Sequence, residues 1–204
     1  TSSPEVDCEF GFEISREDEP GYLADTAQAG FGATWYYSDR LELYGALQYR
    51  YSDVEDAFGQ REFQMLVFPV RATWDTRDVE LDPTRGTFLN ARARPFVGVD
   101  GIENGAQVTA DARGYLGFGE DRRIVLAGRA QVGGLFGPDV AEAPPDYLFF
   151  AGGGGSIRGQ PFQSIGTGEL DGTVIGGTSY LALSGEVRAY VRGPLGIAAF
   201  YDAG

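Results

Sequence analysis

The residue best placed for specific polar chemistry is Arg158, inside the stretch PPDYLFFAGGGGSIRGQPFQSIG at residues 144–166. Four consecutive glycines come before it: Gly152, Gly153, Gly154 and Gly155. Glycine reaches tight backbone conformations that other residues rarely adopt. The pattern predicts a tightly folded loop that presents the guanidinium inward, with a merely flexible loop as the alternative.

An inward-facing Arg158 needs carboxylate partners, because an unpaired desolvated charge is costly and bidentate pairing offsets much of the cost. The candidates are Glu186 and Asp202, which lie on the polar faces of the two strands predicted after the loop. From the residues alone, a docked Arg158 and an ordinary hydrated charge are equally good interpretations.

The sequence gives little support for catalysis, phosphate binding or metal binding. The chain has 0 His and 1 Cys, Cys8, so it offers no paired nucleophile and base, and we predict no catalytic residue. The glycine run lacks the G-x-G-x-x-G spacing and any Lys that a phosphate loop uses. The acidic clusters at 17–19 and 169–172 do not match an EF-hand loop and are interpreted as solvated. We therefore expect no metal site and no cofactor.

The charge and length of the chain limit the classes of partner that it can bind. The chain has 204 residues, 16 Lys plus Arg (all Arg) and 30 Asp plus Glu, giving a net charge of −14. Such a surface argues against nucleic acid and gives no attraction to anionic lipid. No apolar run approaches the length of a membrane helix. Because the chain begins at Thr1 rather than Met, we expect a processed chain or an excised piece.

Period-two alternation dominates the rest of the sequence and predicts an all-β fold. Residues 41–52 alternate strictly over a length that exceeds the usual soluble strand. Pro69 predicts a bulge or an unpaired position in its strand. The nine predicted strands are 5–16, 27–38, 41–52, 61–75, 87–98, 106–118, 123–135, 178–192 and 195–204.

The connections between these strands roughly alternate in length. They are short near Ser38, Glu120 and Gly193, with a tight turn at 192–194, and we predict longer loops at 17–26, 53–60, 99–105 and about 136–177. Short turns on one side and long loops on the other are typical of an antiparallel transmembrane β-barrel. Nine strands are an odd number, so a fragment of a larger barrel is favoured. A soluble acidic β-sandwich adhesin is the alternative, because sandwiches also alternate.

Four motifs then resemble the BamA/TamA superfamily of outer-membrane assembly barrels. The tetrapeptide Ile157-Arg158-Gly159-Gln160 resembles the signature of the family's sixth extracellular loop, with Gln160 where the family has an aromatic residue. The segment at 176–188, GGTSYLALSGEVR, is similar to the strand whose Glu receives the loop Arg. FYDAG, from Phe200 to Gly204, is similar to the strand motif whose Asp is the second partner. WDTRDVELDPTRG at 74–86 is similar to a periplasmic turn.

The resemblance implies a 16-stranded barrel in the bacterial outer membrane. Residues 1–204 would be a partial C-terminal barrel domain, without the first four and last three strands and without the periplasmic POTRA domains. The loop at about 136–177 would fold into the lumen, with Arg158 held by Glu186 and Asp202.

The function implied is that of a non-enzymatic insertase or translocase that assists assembly or secretion of autotransporters and other β-barrel proteins. The sequences of the long loop and of the DPTRG segment at 82–86 are most similar to the TamA branch of the family. This similarity implies a TamB-like partner anchored in the inner membrane. Implied partners also include outer-membrane lipid and unfolded barrel substrates, with no cofactor. A passive channel or two-partner secretion pore of the same superfamily is the alternative.

Overall fold

The computed structural model describes residues 5–99, 101–192 and 195–204; the turn predicted at 192–194 therefore falls partly outside the described residues. Two single turns of 3-10 helix, Glu120–Arg122 and Pro145–Tyr147, are the helical elements of the described part, and no helix there is long and apolar enough to cross a membrane. The strands are β1 (Glu5–Glu19), β2 (Tyr22–Ser38), β3 (Leu41–Asp56), β4 (Gly59–Val67), β5 (Val70–Asp75), β6 (Gly86–Gly98), β7 (Gly105–Phe118), β8 (Ile124–Phe136), β9 (Gly168–Leu170), β10 (Thr173–Ile175), β11 (Ser179–Arg192) and β12 (Leu195–Ala203).

The long strands form one antiparallel sheet in the order β1-β2-β3-β4-β6-β7-β8-β11-β12, and β5 continues β4 between β3 and β6. The interruption falls at Phe68 and Pro69, as the sequence predicts, because proline cannot donate to the ladder. The flanking ladder survives the break: the Pro69 carbonyl accepts the Ala46 amide at 2.9 Å. The prediction of an all-β antiparallel fold is confirmed. Counting β4 and β5 as one interrupted strand, the described sheet is nine strands wide.

The alternation in sequence becomes two different faces. On β3, Arg50, Ser52 and Val54 point to a buried inner face, while Leu47 and Tyr49 point outward and are about half exposed. An apolar face open to its surroundings along every long strand is the surface that a barrel presents to lipid. Other outward apolar side chains are Phe10, Phe31, Leu89, Leu116, Leu126, Val132, Leu181 and Val187.

We call the two ends of the sheet the turn end and the loop end. The turn end carries the β2–β3, β5–β6 and β7–β8 connections, and the loop end carries the β1–β2, β3–β4, β6–β7 and β8–β11 connections. Trp35 and Trp74 both lie near the turn end, since Trp35 pairs with Leu43 and Trp74 pairs with Leu41. Exposed aromatic residues at one level are typical of the interfacial girdle of a membrane barrel.

Two of the predicted loops are wrong. Residues 17–26 and 53–60 are instead strand hairpins with turns at Pro20-Gly21 and Ala57-Phe58. Pairing continues along β2 and β3 from Leu41 to Asp56. Near the loop end the outward face carries Asp25 and Glu55, whereas Ala24 and Val54 on the inner face are buried. Backbone pairing does not require an apolar outward face, so the strands continue where that face becomes polar. Connection length therefore alternates less than predicted.

The long connection, residues 137–178, lies against the inner face of the sheet. It contains the small β9–β10 ribbon, and two isolated bridges join Phe149 to Gly177 and Ala151 to Ile165. The core lies at the loop end, between the inner face and the 143–148 segment of this loop. Its buried members are Ala24, Val54, Phe63, Met65, Val67, Phe96, Leu135, Ala143, Tyr147 and Leu148.

Candidate functional site

The glycine run opens the path of the loop toward Arg158. Gly152 and Gly153 have φ of 106° and 88°, in the left-handed region that side chains other than glycine rarely adopt. Gly159, after the arginine, has φ of 89°. Gly154 and Gly155 have neither a positive φ nor close neighbours, so their predicted contribution to a tight path is wrong. Close to Arg158, the left-handed backbone conformation is therefore adopted by Gly152, Gly153 and Gly159.

Arg158 lies between the two predicted carboxylates. Its Nε and Nη2 donate to Asp202 Oδ2 and Oδ1 at 2.8 Å each, which is a bidentate pair. Its backbone N–H donates to Asp202 Oδ2 at 3.0 Å, and Nη1 donates to Glu186 Oε2 at 2.6 Å. The hydrogen bonds to Asp202 and Glu186 raise the pKa of the Arg158 guanidinium, which therefore stays charged. We call these three residues the arginine lock.

An aromatic ring completes the lock. The Arg158 guanidinium lies 3.6 Å from the centroid of the Phe200 ring, a cation–π distance. The lock is partly hydrated: the side chains of Arg158 and Glu186 are 28% and 22% exposed, whereas Asp202 is 2% exposed. The two strands set this geometry, because the β11–β12 register pairs Glu186 with Phe200 and Ser184 with Asp202.

The other predicted residues support the lock from outside it. Ile157 packs beside Gly204, where an added side chain would meet the Ile157 methyl group. Gln160 has an exposed side chain, but its carbonyl accepts the Gly153 amide at 3.0 Å and closes the loop tip. Phe162, which is outside the predicted set, lies next to Gly153 and remains 59% exposed.

The lock lies deep in the sheet. Glu186 is seven residues beyond the start of β11 at Ser179, which is about 23 Å along a strand. The loop enters at the loop end and so reaches roughly the middle of the inner face. A segment held at that depth occupies space that would otherwise be a water-filled passage.

The structure shows a second attachment of the loop that the sequence interpretation missed. Asp146 Oδ2 accepts Arg50 Nη1 of β3 at 2.9 Å and lies 3.8 Å from Arg94 Nη1 of β6. Arg94 Nη2 also donates to the Asp146 carbonyl at 3.2 Å. We call Asp146, Tyr147, Arg50 and Arg94 the tyrosine anchor.

Tyr147 is the centre of this anchor and is 0% exposed. The Arg94 and Arg50 guanidinium groups lie 4.1 and 5.8 Å from its ring centroid, and Phe96 packs edge-on at 5.1 Å. The Tyr147 carbonyl accepts Gln107 Nε2 at 2.9 Å. Burial raises the pKa of the Tyr147 hydroxyl.

The signal for this anchor in the sequence was small. Asp146 is the one charged residue in the apolar run APPDYLFFA at 143–151, and Arg50 and Arg94 lie on the polar faces of their strands. Nothing in the spacing links them, because the partners are far apart in the chain.

A third contact holds the glycine run itself. Arg129 Nη1 of β8 donates to the Gly155 carbonyl at 2.8 Å, and its Nε donates to Asp111 Oδ1 at 3.0 Å. Asp111 also pairs with Arg113 on its own strand at 2.7 Å. The glycine run is therefore attached to the wall through its backbone, without a side chain of its own.

The combined arrangement holds a segment in place. The described residues contain no group of three or more His, Cys, Asp or Glu side chains that could hold a metal ion. What they contain is an arginine on the loop inserted between wall carboxylates, and an aspartate on the loop inserted between wall arginines.

Comparison with known proteins identifies the family and the fold of the chain. The model of the Omp85 superfamily domain matches residues 3–204. Among solved structures, the chain is similar to BamA from Haemophilus ducreyi lacking POTRA domains 1-3, with a TM-score of 0.79 and 16% identity. The match covers 98% of this chain and 46% of that one, so this chain spans about half the length of that structure. The family match places the chain in the bacterial outer membrane, and the chain belongs to the Omp85 superfamily.

Proposed function

We propose that this chain forms part of an outer-membrane insertase or translocase that assists assembly or secretion of β-barrel proteins, autotransporters among them. The observation that carries the proposal is the loop in the lumen, held by the arginine lock, the tyrosine anchor and the Arg129 contact with the glycine run. A permanently open channel would leave that space to water. A barrel that must keep its shape while handling a substrate gains from an internal brace.

The sequence supports the TamA branch within this proposal. This assignment is based on the PP…FFAGG…SIRG…QSIG and DPTRG segments. It implies a TamB-like partner at the inner membrane and POTRA domains that precede the barrel. In this arrangement the turn end faces the periplasm and the loop end faces the exterior. The function involves no reaction chemistry and no cofactor.

The test uses the complete protein in liposomes, with an autotransporter barrel domain as the substrate. Glu186→Ala removes one lock carboxylate, so we expect a severalfold loss of the substrate that becomes protease-protected and heat-modifiable. Arg40→Gln is the matched control, because this arginine is exposed at the β2–β3 turn and lies away from the loop. Wild-type assembly by Glu186→Ala would contradict the proposed brace. Steady conductance without any effect on substrate insertion would favour the passive pore instead.

A further inference from the structure

The β5–β6 connection at the turn end, residues 76–85, is organised by its own side chains. We call it the strap. Asp78 accepts the Thr84 backbone amide at 2.9 Å and the Thr84 hydroxyl at 2.6 Å, and these bonds lower the pKa of the Asp78 carboxyl. Arg122, in the β7–β8 turn, donates to Asp78 Oδ2 at 2.9 Å. The strap is therefore a defined structure rather than a loose turn.

The far side of the strap reaches a distant strand. Asp82 Oδ1 accepts Arg188 Nη1 of β11 at 2.8 Å, and the Tyr190 hydroxyl donates to both Asp82 oxygens at 2.7 Å. Strands β7 and β8 lie between β6 and β11 in the sheet, so the strap crosses about 14 Å of the inner turn end.

Arg188 connects this strap to the arginine lock. Its Nη1 binds Asp82, while its Nε donates to Glu186 Oε1 at 2.9 Å. The other oxygen, Glu186 Oε2, is the one that accepts Arg158 Nη1. A continuous series of charge-assisted hydrogen bonds thus runs from Asp82 through Arg188 and Glu186 to Arg158.

We propose that the strap and the lumen loop are energetically coupled through Arg188 and Glu186, so that displacing the strap at the turn end loosens the arginine lock. Glu186 is shared between two arginines. Once Asp82 leaves, Glu186 is the one remaining carboxylate partner of Arg188 among the described residues, and Arg188 competes with Arg158 for it. A segment that enters from the turn end and moves the strap would in this way release the loop from Glu186, two residues along β11 from the strap contact at Arg188.

This coupling is intramolecular and does not depend on which substrate the barrel handles. It is tested by hydrogen exchange with mass spectrometry on the complete protein in nanodiscs. The backbone N–H of Arg158 is the probe, since it donates to Asp202 and its protection reports on the lock. The Phe149 amide, which donates to the Gly177 carbonyl at 2.9 Å, is the internal reference for an intact fold.

The first variant is Asp82→Asn, with Glu80→Gln as its matched control. Both remove one negative charge from the strap, but Arg188 binds only Asp82 of the two. Asp82→Asn should accelerate exchange of the Arg158 amide by about three- to tenfold, and Glu80→Gln should leave it unchanged. Phe149 exchange should stay the same in both. Equal Arg158 exchange in the two variants would overturn the coupling.

The role of Glu186 in the coupling is tested by combining Asp82→Asn with Glu186→Gln. If the coupling runs through Glu186, adding Asp82→Asn to the Glu186→Gln variant should not further accelerate exchange of the Arg158 amide. An undiminished effect of Asp82→Asn in that background would overturn the assigned route.

Tyr190→Phe gives a milder second variant that keeps every charge, in case Asp82→Asn disturbs folding. It removes only the hydroxyl that donates to Asp82. We expect a smaller acceleration in the same direction, and no change in Arg158 exchange would count against the coupling.

Discussion

The arginine lock and the tyrosine anchor hold the same loop with opposite charge. In the lock, a loop cation enters a pair of wall carboxylates; in the anchor, a loop anion enters a pair of wall arginines. They also differ in the hydration of the loop residue: the Arg158 side chain is 28% exposed, whereas that of Asp146 is 11% exposed. Each attachment has one buried wall partner, Asp202 or Arg50, and one partly exposed wall partner, Glu186 or Arg94.

The difference in burial assigns different tasks to the two attachments. The anchor is joined to the hydrophobic core through Tyr147 and Leu148, so breaking it removes packing as well as charge pairing. The lock has little apolar packing beyond Phe200 and can open without exposing the core. We infer that the anchor fixes the loop at the loop end while the lock is the attachment that can be released.

The largest expected effect is on the anchor. Tyr147→Ala removes a fully buried aromatic side chain and should lower the free energy of unfolding by about 4 kcal/mol, measured by urea titration of the complete barrel in detergent. Tyr147→Phe is the control, because the buried Tyr147 hydroxyl has no hydrogen-bond partner among the described residues. The Phe variant should match or slightly exceed the wild type. A large loss in the Phe variant would show that the hydroxyl is bonded after all.

The next effect compares one carboxylate from each attachment. Asp146→Asn leaves the buried Arg50 guanidinium and the partly exposed Arg94 guanidinium facing a neutral amide, so we expect the free energy of unfolding to fall by about 3 kcal/mol. Asp202→Asn should cost less stability but should accelerate exchange of the Arg158 amide, which donates to that carboxylate. The same urea titrations and exchange measurements check both. If Asp202→Asn proved the more destabilising change, the division of tasks would be wrong.

The smallest effect is that of salt. Raising the ionic strength from 0.1 to 1 M shortens the Debye length from about 10 Å to about 3 Å, which weakens hydrated ion pairs more than buried ones. Exchange of the Arg158 amide should accelerate, while the Tyr147 amide, bonded to the Pro144 carbonyl at 3.0 Å, should not respond. Potassium chloride in place of sodium chloride controls for specific ion effects. Equal responses at the two amides would remove the distinction in hydration.

Local pattern was informative where one strand face is apolar. Strict alternation at 41–52 predicted β3 and its inner and outer residues, and Pro69 predicted the interruption between β4 and β5. The pattern failed at 17–26 and 53–60, where the outward face becomes polar although Ala24 and Val54 remain buried on the inner face. There the pairing partner, rather than the side chains, decides whether the backbone is extended.

The sequence by itself determined the fold class and the participants of the arginine lock, because Arg158, Glu186 and Asp202 lie in recognisable motifs within 45 residues of one another. Only the tertiary structure decided the tyrosine anchor and the contact between the strap and β11. Arg50 and Asp146 come together because the sheet curls around the loop, and Asp82 meets Arg188 because the strap crosses two strands. Contacts of this kind depend on sheet order and curvature, which no local spacing of residues encodes.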